Sequence, residues 1–106
     1  VMRARCGGHS VNNSSFAAVA ATGMVSYKAS NDVPNASTKS LASGGAKYGI
    51  RANVIMPGLM NTPMAIETYV AAGFERGKLI ESRNASVPLG RQMGSAWDVA
   101  NAALFL

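Results

Sequence analysis

Cysteine, histidine and acidic side chains are scarce in this chain, and each scarcity closes off a class of function. Among 106 residues there is one cysteine, Cys6, and one histidine, His9. A lone thiol cannot form an internal disulfide, and one thiol with one imidazole falls short of a four-ligand zinc site. A free thiol is at home in a reducing compartment, which points to a cytoplasmic location. No apolar run approaches the roughly 20 residues that span a bilayer. The opening stretch VMRARCGGHS carries two arginines but no apolar segment of the kind a secretory leader needs. The Asn-x-Ser triplets at Asn35 and Asn84 are therefore accidents of composition.

Acidic residues number 5 against 10 lysines and arginines, a net charge of +5. A basic balance raises the question of nucleic acid. The cations, however, are scattered from Arg3 to Arg91, with no cluster longer than RAR and no basic run interleaved with aromatics, so nucleic-acid binding is not expected. A solvated surface or a cofactor phosphate suits such scattered charge better. Apolar residues make up 48% of the chain, which is a globular composition. The length allows one small domain at most.

Residues 9 to 14, HSVNNS, form a short polar stretch with Val11 as its only apolar member, a poor strand when read alone. Residues 16 to 25, FAAVAATGMV, suit a packed loop or a short helical turn. From Ser26 to Lys47 the spacing of Val33, Ala36, Leu41 and Ala42 is loosely helical, with Ser26 as a candidate N-cap and Gly49 as the stop. Val54, Ile55 and Met56 form a continuous apolar run, the pattern of a buried parallel strand, and Pro57-Gly58 ends it. Residues 63 to 88 carry amphipathic helical pieces broken by Gly73 and Gly77. SAWDVANAALFL is a last helix, with Ser95 and Asp98 close to a capping box. The order strand, helix, strand, helical segment, helix predicts an α/β fold. The two strands, near 9–14 and 51–56, are expected to be parallel and joined by the helix that begins near Tyr27.

Four segments in order, GGHSVNNSS, YKASN, KYGIRANVIMPGLMNTPM and PLGR with WDVANAALFL, resemble the carboxy-terminal half of the short-chain dehydrogenase/reductases. The finer likeness is to the 3-oxoacyl-carrier-protein-reductase-like members. The resemblance implies a truncated, partial Rossmann-type doubly wound parallel sheet. Residues 1–106 would then be a carboxy-terminal fragment of a single oxidoreductase domain. It implies NAD or NADP at the carboxyl ends of the strands, and hydride transfer between nicotinamide and a small-molecule carbonyl or secondary alcohol. Tyr27 matches the tyrosine that gives or takes a proton, and Ser15 the serine that holds the substrate oxygen. Ser15 precedes Tyr27 by twelve residues, one fewer than is commonest in the family, so Ser14 remains an alternative. Pro57, Gly58, Met60 and Thr62 match the turn that approaches the nicotinamide, and residues 63–88 the substrate lid. Tyr27, Ser15 and that turn are expected to converge at one end of the sheet. The long helix forms the dimer interface in the family, which implies a homo-oligomer here, with no membrane partner.

Asn31 departs from the pattern. The family places a lysine four residues after the tyrosine, on the same helix face, where it biases the phenol toward its anion and holds the nicotinamide ribose. Asn31 can bond a ribose but brings no charge. A phenol of ordinary pKa, about 10, is ionised in only about one molecule in a thousand at pH 7. Pro34 falls inside the predicted helix, where proline costs roughly 3 kcal/mol. No glycine-rich phosphate loop of the form Gly-x-x-x-Gly-x-Gly occurs in the 106 residues. Two readings follow: an oxidoreductase fragment that is inactive as written, or a non-catalytic dimerisation or ligand-binding module on the same half-fold.

Overall fold

In the computed structural model, which describes residues 1–20 and 23–106, two short strands lie side by side. Strand β1 (Gly8–Asn13) pairs in parallel with β2 (Ile50–Ile55), in a register that sets His9 against Arg51 and Asn12 against Val54. Helix α1 (Val25–Gly45) connects them, which makes the βαβ unit the sequence predicted. The polar stretch is a strand after all, because the parallel ladder with β2 supplies what its own side chains lack. Three further helices follow: α2 (Pro63–Ala71), α3 (Arg76–Ala85) and α4 (Ala96–Phe105). None of the helices described is long and apolar enough to cross a membrane.

The chain divides into two compact units, Val1–Pro57 with Ala102–Leu106, and Gly58–Asn101. In the first, residues alternate between the two faces of the strands. Asn12 faces α1, where its amide donates to the Thr38 hydroxyl at 2.7 Å; Thr38 in turn donates to the Pro34 carbonyl at 2.6 Å. His9, on the opposite face, has Nδ1 3.2 Å from the Arg51 guanidinium and Nε2 2.8 Å from the Asn53 amide. Arg51 also donates to the Leu106 carbonyl at 2.6 Å. Ala18 is the unit's one buried apolar residue among those described, beside buried Ser14, Asn35 and Thr38. The helix side chains bonded to or buried against this unit are thus polar, while Val33 and Leu41 are 64% and 50% exposed.

The entry to α1 differs from expectation. Its N-cap is Met24, without a side-chain cap, and Ser26 lies inside the helix. The Lys28 amide already reaches the Met24 carbonyl at 2.9 Å, so the helix begins before Ser26 could cap it. Pro34 stands in the interior without ending the helix. After α1, a short 3-10 turn at Ala46–Tyr48 closes on Gly49 at φ 68°. A Cβ there would lie 2.9 Å from the Cys6 carbonyl oxygen, so glycine is needed for both conformation and space. Strand β2 stops at Ile55, which leaves Met56 outside it and exposed. Residues 16 to 25 begin with a 3-10 turn, Phe16–Ala18, while Ala21 and Thr22 fall outside the described residues.

The second unit is built from capped helices. Pro63 occupies the first turn of α2, and the Thr62 hydroxyl accepts from the Ala65 amide at 3.4 Å. Gly73, at φ 97°, ends α2 in a Schellman turn. There the Phe74 amide bonds Tyr69 O and the Gly73 amide bonds Val70 O, both at 3.0 Å. The hydrophobic contact that accompanies this motif is an edge-to-face pair of Tyr69 and Phe74, with centroids 5.8 Å apart. Gly77 does not break the segment as predicted; it lies in the first turn of α3, where its amide is capped by Glu75 at 2.7 Å. Ile66 and Met93 are buried, and the Asn84 side chain fixes the Met93 amide at 2.9 Å.

Candidate active site

The carboxyl ends of the two parallel strands are where an open α/β sheet presents its chemistry. Ser14 and Ser15 leave β1 there, and Met56 and Pro57 leave β2. The ladder continues past the strands: the Ser14 amide donates to Ile55 O at 2.9 Å and the Phe16 amide to Pro57 O at 3.0 Å. These bonds hold the serine turn beside the proline turn.

The two serines are not equivalent. Ser14 is buried, and its hydroxyl donates to the main-chain carbonyl of Asn31 at 2.5 Å. Ser15 is half-buried, and its oxygen accepts from the Ala17 amide at 3.2 Å as the N-cap of the following 3-10 turn. That bond uses a lone pair and leaves the Ser15 proton free to be given. Sequence alone left both serines open.

Tyr27 sits in the first turn of α1 and is 37% exposed. Its carbonyl collects two side chains, the Ser30 hydroxyl at 2.9 Å and the Asn31 amide at 2.9 Å. The Asn31 amide is therefore folded back on the helix that carries it. Lys28, the nearest cation in sequence, points elsewhere: its ammonium donates to Ala20 O at 3.0 Å. Asn35, one turn beyond Asn31, is buried with its side-chain oxygen unpaired, and its amide nitrogen lies 3.4 Å from Asp32 Oδ1.

In the second unit, an ideal Cβ on Gly58 would meet nothing within 4 Å, so its backbone stands open to an approaching group. Met60 forms a parallel bridge with Gly94, whose Cβ position lies 2.8 Å from the Met60 sulfur. The Asn61 amide donates to Gly94 O at 2.7 Å. Thr62 is engaged as the cap of α2.

Sequence reasoning missed the polar bridges between β1 and α1, made by Ser14 and Asn12. A signal was present: residues 31, 35 and 38 share one helix face, all three are small and polar, and they oppose the NNSS run. A separate groove lined by Ser10, Leu41, Gly45 and Ile50 lies at the amino end of β2, away from these groups.

A parallel βαβ unit with a serine turn and a tyrosine-bearing helix at its carboxyl ends is an α/β arrangement, the unit from which Rossmann-type sheets are built. A family model described as Enoyl-(Acyl carrier protein) reductase matches residues 1–106. An L-fucose dehydrogenase of Rattus norvegicus is 37% identical over 100 residues, which cover 93% of this chain and 36% of that protein. An oxidoreductase of the short-chain dehydrogenase/reductase family from Burkholderia thailandensis superposes with a TM-score of 0.86 at 38% identity, over 99% of this chain and 39% of its own. An NAD+-bound xylitol dehydrogenase superposes with a TM-score of 0.83 at 27% identity, over 99% of this chain and 44% of that one. The chain belongs to the short-chain dehydrogenase/reductase family. It spans less than half the length of these relatives.

Proposed function

We propose that these 106 residues are the carboxy-terminal part of an NAD(P)-dependent oxidoreductase domain that interconverts a small-molecule carbonyl and a secondary alcohol. The observation that carries this reading is the Phe16–Pro57 backbone bond, which joins the serine turn to the proline turn at the strands' carboxyl ends. In the reduction Tyr27 donates its phenolic proton to the carbonyl oxygen, and in the oxidation it accepts the alcohol proton. Ser15, with its own proton free, holds that oxygen; Ser14, committed to the helix, does not. The open backbone at Gly58 suits a planar ring at close approach, with Pro57, Met60 and Thr62 as the other residues of the turn. A bound nicotinamide would supply the hydride. Asn31 fits its ribose less well, because the amide is already bonded to Tyr27 O.

Without a cation at position 31 the reading is of a weak or inactive enzyme. Lowering a phenol's pKa by about two units raises its ionised fraction about a hundredfold. The test is a chimera in which this chain completes an amino-terminal half from a relative, with turnover read against pH. Asn31→Lys should raise turnover near neutral pH about a hundredfold, by the same relation. Strong turnover with Asn31 in place, and no gain from lysine, would show that another group supplies the charge. The isolated chain, which has no glycine-rich phosphate loop, should not bind NAD or NADP at micromolar concentration by calorimetry.

A second reading rests on Val33 and Leu41, apolar side chains of α1 that stay at least half exposed. They suit a helix-pairing surface and a non-catalytic dimerisation module. A dimer by ultracentrifugation, combined with a chimera that stays inactive after Asn31→Lys, would favour it.

A further inference from the structure

We propose that Ser14 is a positioning residue that holds the tyrosine-bearing end of α1 across the gap made by Pro34. The functional consequence rests on the reading of Tyr27 given above, whereas the clamp itself does not. Proline has no amide hydrogen, so Ser30 O lacks the helix bond that residue 34 would normally supply. The missing bond falls between the turn that carries Tyr27 and the rest of the helix. The amino end has no side-chain cap either, and no acidic residue in its first turn. Residues 25 to 33 are thus a short helical piece with weakened support on both sides, and pieces this short are not stable in water by themselves.

Ser14 meets that piece at its weak point. Its hydroxyl donates to the carbonyl of Asn31, the residue after Ser30. A carbonyl has two lone pairs, so Asn31 O can take this bond and still serve the helix. The Ser14 amide is simultaneously fixed to Ile55 O at 2.9 Å. One residue therefore ties β1, β2 and the second turn of α1 together, and Ser14 is only 8% exposed, so water competes little for the bond. The other polar bridge, from Asn12 to Thr38, reaches α1 only beyond Pro34. Ser14 is the side chain of β1's exit that acts on the near side.

The prediction is a coupling between two residues that do not bond each other. In Ser14→Ala, amide exchange at residues 28–32 should accelerate about fivefold, the loss of one net hydrogen bond, while residues 39–43 keep their rates. In a Pro34→Ala background, where the helix bond to Ser30 O returns, the same Ser14→Ala change should accelerate residues 28–32 by less than about twofold. The chain labelled with 3-fluorotyrosine gives a second readout. The Tyr27 resonance, assigned by its loss in Tyr27→Phe, should shift or broaden in Ser14→Ala, with Tyr48 and Tyr69 unmoved, and should return in the double variant. If Ser14→Ala does not fold, the comparison of Pro34→Ala with the double variant decides: a large acceleration there overturns the proposal, and a small one upholds it. Uniform acceleration along all of α1, or an unmoved Tyr27 resonance, also overturns it. Neither measurement involves turnover, so failure of the clamp and failure of the oxidoreductase reading are told apart.

Discussion

Helix α1 and the three helices after it are held by opposite means. α2, α3 and α4 carry their own terminal chemistry: Thr62 and Pro63 start α2, the Glu75 carboxylate starts α3, and Ser95 with Asp98 starts α4. α1 is the longest, yet it has no side-chain cap and a proline in its interior. It persists because β1 reaches up to it through Ser14 and Asn12. The short helices thus carry start signals confined to a few neighbouring residues, whereas the helix that bears Tyr27 takes its side-chain support from residues 17 and 26 positions away.

The sharpest way to break the comparison is to give α1 the local support it lacks. Pro34→Ala restores a backbone donor inside the helix and should stabilise the chain by up to about 3 kcal/mol. A urea midpoint that falls instead would show that the proline ring is part of the packing. Next in size is Thr38→Val, which keeps the shape but removes the hydroxyl between Asn12 and the Pro34 carbonyl. The Asn12 amide is left without its partner, at a cost of about 1–3 kcal/mol in the same titration. Thr62→Ala is the matching change in the second unit. Losing a cap should cost about 1 kcal/mol and raise amide exchange at Ala65 and Ile66, with α1 unaffected. An equal response in α1 would mean that the helices are less independent than their end chemistry indicates.

The same contrast explains what the sequence disclosed. Ser95 and Asp98 were legible as a capping box because that motif lies within four consecutive residues, and the structure closes it with the Ser95 amide donating to the Asp98 carboxylate at 2.6 Å and the Asp98 amide donating to the Ser95 hydroxyl oxygen at 3.4 Å. Gly49 was legible as a stop, and the run at Val54 and Ile55 as a parallel strand, for the same local reason. Ser26 was misread as the cap because nothing nearby announces that the helix begins at Val25. Gly77 was misread as a break because the Glu75 cap before it outweighs its low helix propensity. At the site, the position of the serine and proline turns at the ends of the two strands was legible. That Ser14 is tied to the helix and Ser15 is not could not be read, since the partner, Asn31 O, lies seventeen residues further along the chain.

The smallest expected effect is electrical and separates α3 and α4 from α1 most cleanly. Main-chain hydrogen bonds from Lys78 and Gly77 hold the Glu75 carboxyl below the usual glutamate range. The Ser95 amide and then its hydroxyl hold Asp98 below the usual aspartate range. A carboxyl whose folded pKa is depressed adds stability that is fully present above its unfolded value. That stability is lost as the pH falls through the folded value. Both groups are exposed, so the effect on global stability is small, and the test should be local. The Ser95 and Lys78 amide shifts should stay flat from neutrality down through the ordinary carboxyl range, about pH 4, and move only below it. Asp98→Asn keeps an acceptor oxygen for the Ser95 amide but should abolish the acid step at Ser95. The amides of residues 25–28, in a first turn that holds no acid, should show no such step. A titration of Ser95 centred at or above the ordinary aspartate range would mean that the box is not closed in solution, and that α4, like α1, relies on contacts beyond its own ends.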